Sequence, residues 1–207
     1  ALSVSGLLND AVGGASVRPY QPIGYWENLN FPKRVYKHHD DDRQYRRGLY
    51  VHWQRSFLHP SMKAFDAPSR EECVAERNMS NTPMQALALL NDPSYVEAAK
   101  AFAERIMDEG GDTVEAKVEW AMRQGVLRTP SADEVEILAD VYSKHLAEPF
   151  VVEEVAVEEV EETATEEQTP EEASPEEDSP KPVSPEVAAW TSVARIILNL
   201  HETITRS

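Results

Sequence analysis

The chain holds a single cysteine, Cys73, eight glycines, and 20 basic residues against 37 acidic ones. One cysteine rules out an intrachain disulfide framework and any Cys-x-x-Cys-His haem attachment within these residues. No stretch approaches the roughly 18 consecutive apolar residues that a membrane span needs. A net charge of −17 argues against a nucleic-acid partner, because binding a polyanion takes phosphate-neutralising Lys and Arg. Residues 1–8 are too short, and lack the basic start, for a secretory signal. Since the chain opens Ala1-Leu2-Ser3, it reads as a cleaved or truncated piece of something longer.

At 207 residues the chain is long enough for one ordinary domain. Its charge is concentrated: Glu148 to Lys181 carries 14 acidic residues and one Lys, a charge of −13 that leaves −4 for the rest. Residues 148–183 are built from Glu, Thr, Ser and Pro, cannot bury enough apolar area to offset the entropy of ordering, and are expected to be disordered. The organisation expected is a main part over 1–147, the acidic insert over 148–183, and a final helix of the same domain over 184–207.

The expected fold class is mainly α, with an irregular, aromatic-rich N-terminal third packed on a helical bundle. Gly13-Gly14, Pro19, Pro22, Gly24 and Pro32 break any long helix early in the chain, while Tyr20, Trp26, Phe31 and Tyr36 pin the loop by burial. Residues 47–56 fit either period, since Leu49, Val51 and Trp53 alternate whereas Leu49, Trp53 and Phe57 have helical spacing; helix is preferred. Thr82-Pro83-Met84-Gln85 forms a capping box that opens a helix carrying Leu87, Leu89 and Leu90. Asn91-Asp92-Pro93 stops that helix, and Asp92 caps the next, whose stripe is Tyr95, Ala99, Phe102 and Ile106, ended by Gly110-Gly111. Thr113 opens a third helix with Val114, Val118 and Met122, closed by Gly125. Ser131 with Glu134 caps a fourth, with Val135, Leu138, Tyr142 and Leu146 on one face. Ser184-Pro185 starts a helix so apolar, through Trp190, Val193, Ile197 and Leu200, that it must pack back on the others.

Several constellations invite a chemical reading. His38-His39-Asp40-Asp41-Asp42 offers imidazoles and carboxylates, but adjacent residues converge poorly on one ion, so a solvated loop and no metal is expected. Cys73 has no activating His nearby and reads as a buried or inert thiol. Ser3, Ser5 and Ser56 lack the Gly-x-Ser-x-Gly context of a hydrolase nucleophile. The candidate ligand-binding set is Arg46, Arg47, Tyr50, Trp53, Asp66 and Arg70, because guanidinium groups grip anions bidentately and aromatic faces stack on sugars. The bland alternative is that these arginines pair with internal acids such as Asp66 or Glu71 while the rings are core.

Ser5-Gly6-Leu7-Leu8, Gly13-Gly14, Val17-Arg18-Pro19-Tyr20-Gln21-Pro22 and Arg46-Arg47-Gly48-Leu49-Tyr50 form a series of motifs. It continues with residues 65–71 (Phe-Asp-Ala-Pro-Ser-Arg-Glu), Asn81-Thr82-Pro83-Met84-Gln85-Ala86-Leu87, Leu89-Leu90-Asn91-Asp92-Pro93, and Ala189-Trp190-Thr191 through Asn199-Leu200. Together they resemble the C-terminal part of the planctomycete-type domain of unknown function (DUF1553, PSD1) found in cytochrome c-associated proteins. The resemblance implies a large exported parent, periplasmic or at the cell surface, with an upstream cytochrome c-like partner domain carrying haem, and no cofactor in this chain. It transfers no reaction. Two functions follow: a non-catalytic or accessory module that binds an anionic saccharide or scaffolds the redox domain, or a polysaccharide-active hydrolytic or redox enzyme with Arg46, Arg47, Asp66 and Arg70 lining its cleft.

Overall fold

A computed structural model of the chain describes residues 1–22, 24–26, 36–54, 57–69, 71–76, 78–148 and 184–204. The disorder expected of the insert concerns residues that, apart from Glu148, lie outside this set. The described chain is mainly helical: α1 (Leu2–Ser5), α2 (Pro60–Ala64), α3 (Pro83–Asn91), α4 (Pro93–Glu109), α5 (Val114–Val126), α6 (Ala132–Ala147), α7 (Pro185–Leu198) and α8 (His201–Ile204).

Local chemistry explains the helix starts. Gln85 Oε1 accepts from the Thr82 N–H at 3.3 Å, Asp92 Oδ1 accepts from the Ser94 N–H at 3.0 Å, and Thr113 Oγ1 accepts from the Ala116 N–H at 3.2 Å. At α6 the box is reciprocal, with Glu134 Oε2 on the Ser131 N–H at 2.7 Å and Ser131 Oγ on the Glu134 N–H at 3.3 Å. Each satisfies an amide that the first helical turn leaves without a partner.

The core lies where α4, α5, α6 and α7 meet. α4 contributes Ala99, Phe102, Ala103 and Ile106, α5 Val118, Ala121 and Met122, α6 Leu138 and Tyr142, and α7 Ala189, Trp190, Val193, Ala194, Ile197 and Leu198. Alanines on both α4 and α7 let those two backbones approach closely, and the Trp190 and Tyr142 rings pack with centroids 4.4 Å apart. α7 thus packs back on the bundle as its apolar stripe demands, although Leu146 of α6 stays exposed.

Two sequence expectations are corrected here. Gly125 does not close α5; the helix runs through Val126, and Leu127 terminates it in a left-handed conformation with φ 59°. Gly125 is instead a contact point, since a Cβ there would lie 2.5 Å from Ile197 Cγ2. Residues 47–56 are not a helix in their described part. A single 3-10 turn, Gly48–Tyr50, leads into Val51, which bridges Val17 across a parallel pairing with Val17 N–H donating to Tyr50 O at 2.8 Å. That long-range pairing overrides the helical preference read from the local pattern.

The N-terminal segment runs along this turn and then over the bundle. Asn9 N–H donates to Tyr45 O at 3.2 Å, His52 N–H to Val17 O at 2.7 Å, and Arg105 of α4 holds Val4 O at 2.6 Å. The Trp26 ring packs at a tilt against Tyr36, centroids 5.1 Å apart, and donates to Gln21 Oε1 at 2.7 Å, while Tyr25 meets Phe57 edge-on at 5.6 Å. Phe31 lies outside the described residues.

Candidate functional site

Arg46 is buried, only 8% exposed, and its guanidinium faces the glycine-containing loop between α1 and Val17. Nη2 donates to Ala11 O and Gly13 O, both at 2.7 Å, and Nη1 donates to Ala15 O at 3.3 Å. The guanidinium carbon sits 3.8 Å from the centre of the Tyr50 ring, and Tyr50 Oη accepts from the Gly13 N–H at 3.0 Å. That hydrogen bond, helped by the nearby guanidinium groups, lowers the Tyr50 pKa. Gly13 and Gly14 take φ of 83° and 87°, the left-handed conformation that turns the carbonyls inward and that glycine adopts without strain. Arg46 and Tyr50 therefore form a clasp around residues 11–17.

The other candidates are placed differently. Arg47 is exposed, with its guanidinium carbon 5.7 Å from the Tyr50 ring centre. Trp53 is half-buried. Asp66 sits further along, in a left-handed conformation with φ 56°, and its Oδ2 accepts from Ser80 N–H at 2.8 Å and from Ser80 Oγ–H at 2.6 Å. Arg70 lies outside the described residues. The structure thus brings Arg46, Arg47 and Tyr50 together and sets Asp66 in a second place.

That second place is a cavity of about 740 Å³ between Tyr20, Pro22 and Tyr25, α2, the Asp66 turn, Ser80, α3 and the start of α4. Tyr20, Pro22, Tyr25, Pro60, Met84 and Leu87 give it apolar walls, and Ser61, Lys63, Asp66, Ser80, Asn91 and Asp92 supply polar groups. The Asp66 wall is braced from behind: Gln85, 1% exposed, donates through Nε2 to Ser80 Oγ at 3.2 Å. Near the cavity, Ser61 Oγ and Tyr95 Oη hydrogen-bond at 2.8 Å, and the buried His59 donates from Nε2 to Tyr20 O at 2.7 Å.

Burial sets the ionisation here. It pushes the Asp92 carboxyl up, an effect that the Ser94 amide tempers, and it pushes the His59 imidazole down against the opposing pull of Tyr20 O and Asp92. His59 and Ser61 were not singled out from the sequence, Tyr95 was read there only as part of a helix stripe, and Asp92 only as a helix stop and cap. The one available signal is that both His59-Pro60 and Asp92-Pro93 start helices whose first turns face the same space.

The His-Asp loop and the thiol complete the survey. His39 Nδ1 accepts from the Arg18 N–H at 2.9 Å, and His38 Nε2 meets Asp40 Oδ1 at 2.9 Å. No group of three His, Cys, Asp or Glu side chains suited to a metal occurs among the described residues. Cys73 is exposed, which corrects the buried half of its reading. No described helix is long and apolar enough to cross a membrane.

The family model for PSD1, protein of unknown function (DUF1553), matches residues 1–142. No curated protein matches, and no solved structure matches.

Proposed function

Because this chain belongs to the DUF1553 family of proteins of unknown function, we propose that it is an accessory, non-catalytic scaffold module of a larger exported protein that also carries a cytochrome c-like domain. The cytochrome association and the export rest on the sequence resemblance. The scaffold role rests on one observation, the disposition of Arg46: its terminal nitrogens hold three loop carbonyls and its face covers Tyr50. Its Nε has no hydrogen-bond partner among the described residues but is buried, so an arginine committed in this way has little left to present to an anionic ligand from solvent.

The helix after the insert belongs, on this reading, to the same domain as residues 1–147, since α7 supplies six residues of the shared core. Haem stays with the upstream domain. With one exposed cysteine and no Cys-x-x-Cys-His motif, this chain has no means of attaching the group covalently.

An anionic saccharide would find Arg47 as its contact, the one candidate arginine both described and exposed. The enzyme alternative needs Arg46, Arg47, Asp66 and Arg70 around one cleft. Arg46 facing loop carbonyls and Asp66 lining a cavity with a different set of residues favour the scaffold.

Isothermal titration with sulfated and uronate oligosaccharides tests the choice. The scaffold reading predicts no saturable heat with the wild-type chain or with Arg47→Ala. Saturable micromolar binding lost in Arg47→Ala would replace it with a saccharide-binding module.

A further inference from the structure

The 740 Å³ cavity falls within the ~300–1,000 Å³ usual for small-molecule sites and has their composition, apolar walls with a few fixed polar groups. Two of its apolar lining residues reach solvent: Met84 and Leu87, on successive turns of α3, are 62% and 52% exposed. The charged groups on its lining are Asp66, Asp92 and Lys63. Lys63 is exposed, whereas both carboxylates are half-buried.

Asp92 is the more telling of the two acids. Its Oδ1 takes the Ser94 amide as an N-cap, but it makes no ion pair with a described Lys or Arg. His59, whose charge acts on Asp92, is held towards its neutral form by burial. A half-buried carboxylate beside tyrosine, proline and methionine side chains is the arrangement that a desolvated cation satisfies, through charge-assisted hydrogen bonds and ring faces.

We propose that this cavity binds an organic cation, an ammonium or guanidinium group on an apolar stem, with the charge at Asp92 and the stem between Tyr20, Pro22, Tyr25 and α3. The site is separate from the Arg46–Tyr50 clasp, so it stands or falls independently of the scaffold reading. Asp66 also lines the cavity, in a turn held by Ser80 and by the buried Gln85 behind it. An anionic or neutral ligand of the same shape gains the apolar contacts but leaves Asp92 without a counter-charge.

The test titrates the chain with 2-phenylethylammonium, 2-phenylethanol and phenylacetate, followed by two-dimensional amide NMR. The ammonium should bind about tenfold or more tightly than the alcohol, as expected for a charge-assisted hydrogen bond, with shifts centred on residues 60–64 and 84–94. Asp92→Asn keeps a competent N-cap while removing the charge, and should erase the preference for the ammonium. Ala88→Leu, which fills the cavity from a helical position that accepts Leu, should abolish binding of both. Equal affinity for ammonium and alcohol, tighter binding of phenylacetate, or an ammonium preference that survives Asp92→Asn would overturn the proposal. So would shifts confined to surface acids elsewhere on the chain.

Discussion

Replacing Gly125 by Ala sets two known effects against each other inside α5. Ala is favoured over Gly in a helix interior by about 1 kcal/mol. The new Cβ, however, would stand 2.5 Å from Ile197 Cγ2, more than 1 Å inside the ~3.5–4.0 Å of ordinary carbon contact. Ile197 is fully buried on α7 and its Cγ2 is fixed to Cβ, so it cannot swing aside as the end of a long side chain would. Overpacking of this kind costs about 1–3 kcal/mol, which leaves Gly125→Ala destabilising by about 1 kcal/mol. Ile197→Ala removes the obstructing methyl at its own cost of about 2–5 kcal/mol. In that background Gly125→Ala should become stabilising by about 1 kcal/mol, a coupling of about 2 kcal/mol between the sites. Urea unfolding of the four chains, with slopes compared to confirm a common transition, measures it. If Gly125→Ala shifts stability by the same amount in both backgrounds, α5 and α7 do not meet as described.

Two further outcomes follow from the core and from the buried histidine. A chain ended at Glu148 loses the six α7 core residues and should show no cooperative urea transition, while a peptide spanning residues 184–207 added in trans should restore one; a sharp transition without the peptide would separate α7 from the domain. Burial lowers the His59 pKa below its usual 6.5, so the folded chain binds that proton less readily than the unfolded one. Its contribution is present above pH 6.5 and declines as pH falls from there through the folded value. His59→Gln should flatten this limb in a pH series of urea midpoints, and an unchanged slope would refute the assignment. Asp92, whose pKa is raised by burial, acts in the opposite sense in the acid range, because the folded chain takes up its proton first.

What the sequence made legible was local. Thr82 with Gln85 and Ser131 with Glu134 lie three residues apart and satisfy amides within one turn, so no distant residue decides them. The α7 stripe was equally clear, because a helix with Trp190, Val193 and Ile197 on one face has nowhere else to put them. Gly125 was misread because a glycine that ends a helix and one that admits a neighbouring side chain look identical along the chain; only α7 distinguishes them. Residues 47–51 were ambiguous because the deciding partner, Val17, is far away in sequence. The cavity draws on residues from Tyr20 to Pro93 and has no compact motif, so of its polar lining only Asp66 entered the candidate set. Arg46 was singled out as part of a basic, aromatic stretch in an acidic chain, but sequence could not show that carbonyls would occupy it.

Hydrogen exchange at Gly13 and Val17 in Arg46→Lys, with Arg47→Lys as comparison, tests most directly whether Arg46 holds the N-terminal loop. Lysine offers a compact ammonium in place of the fork that spans three carbonyls, and it stacks poorly on Tyr50. The clasp predicts that both amides exchange about tenfold or more faster in Arg46→Lys and at wild-type rates in Arg47→Lys. Unchanged protection in Arg46→Lys would contradict it and return Arg46 to the ligand-binding set.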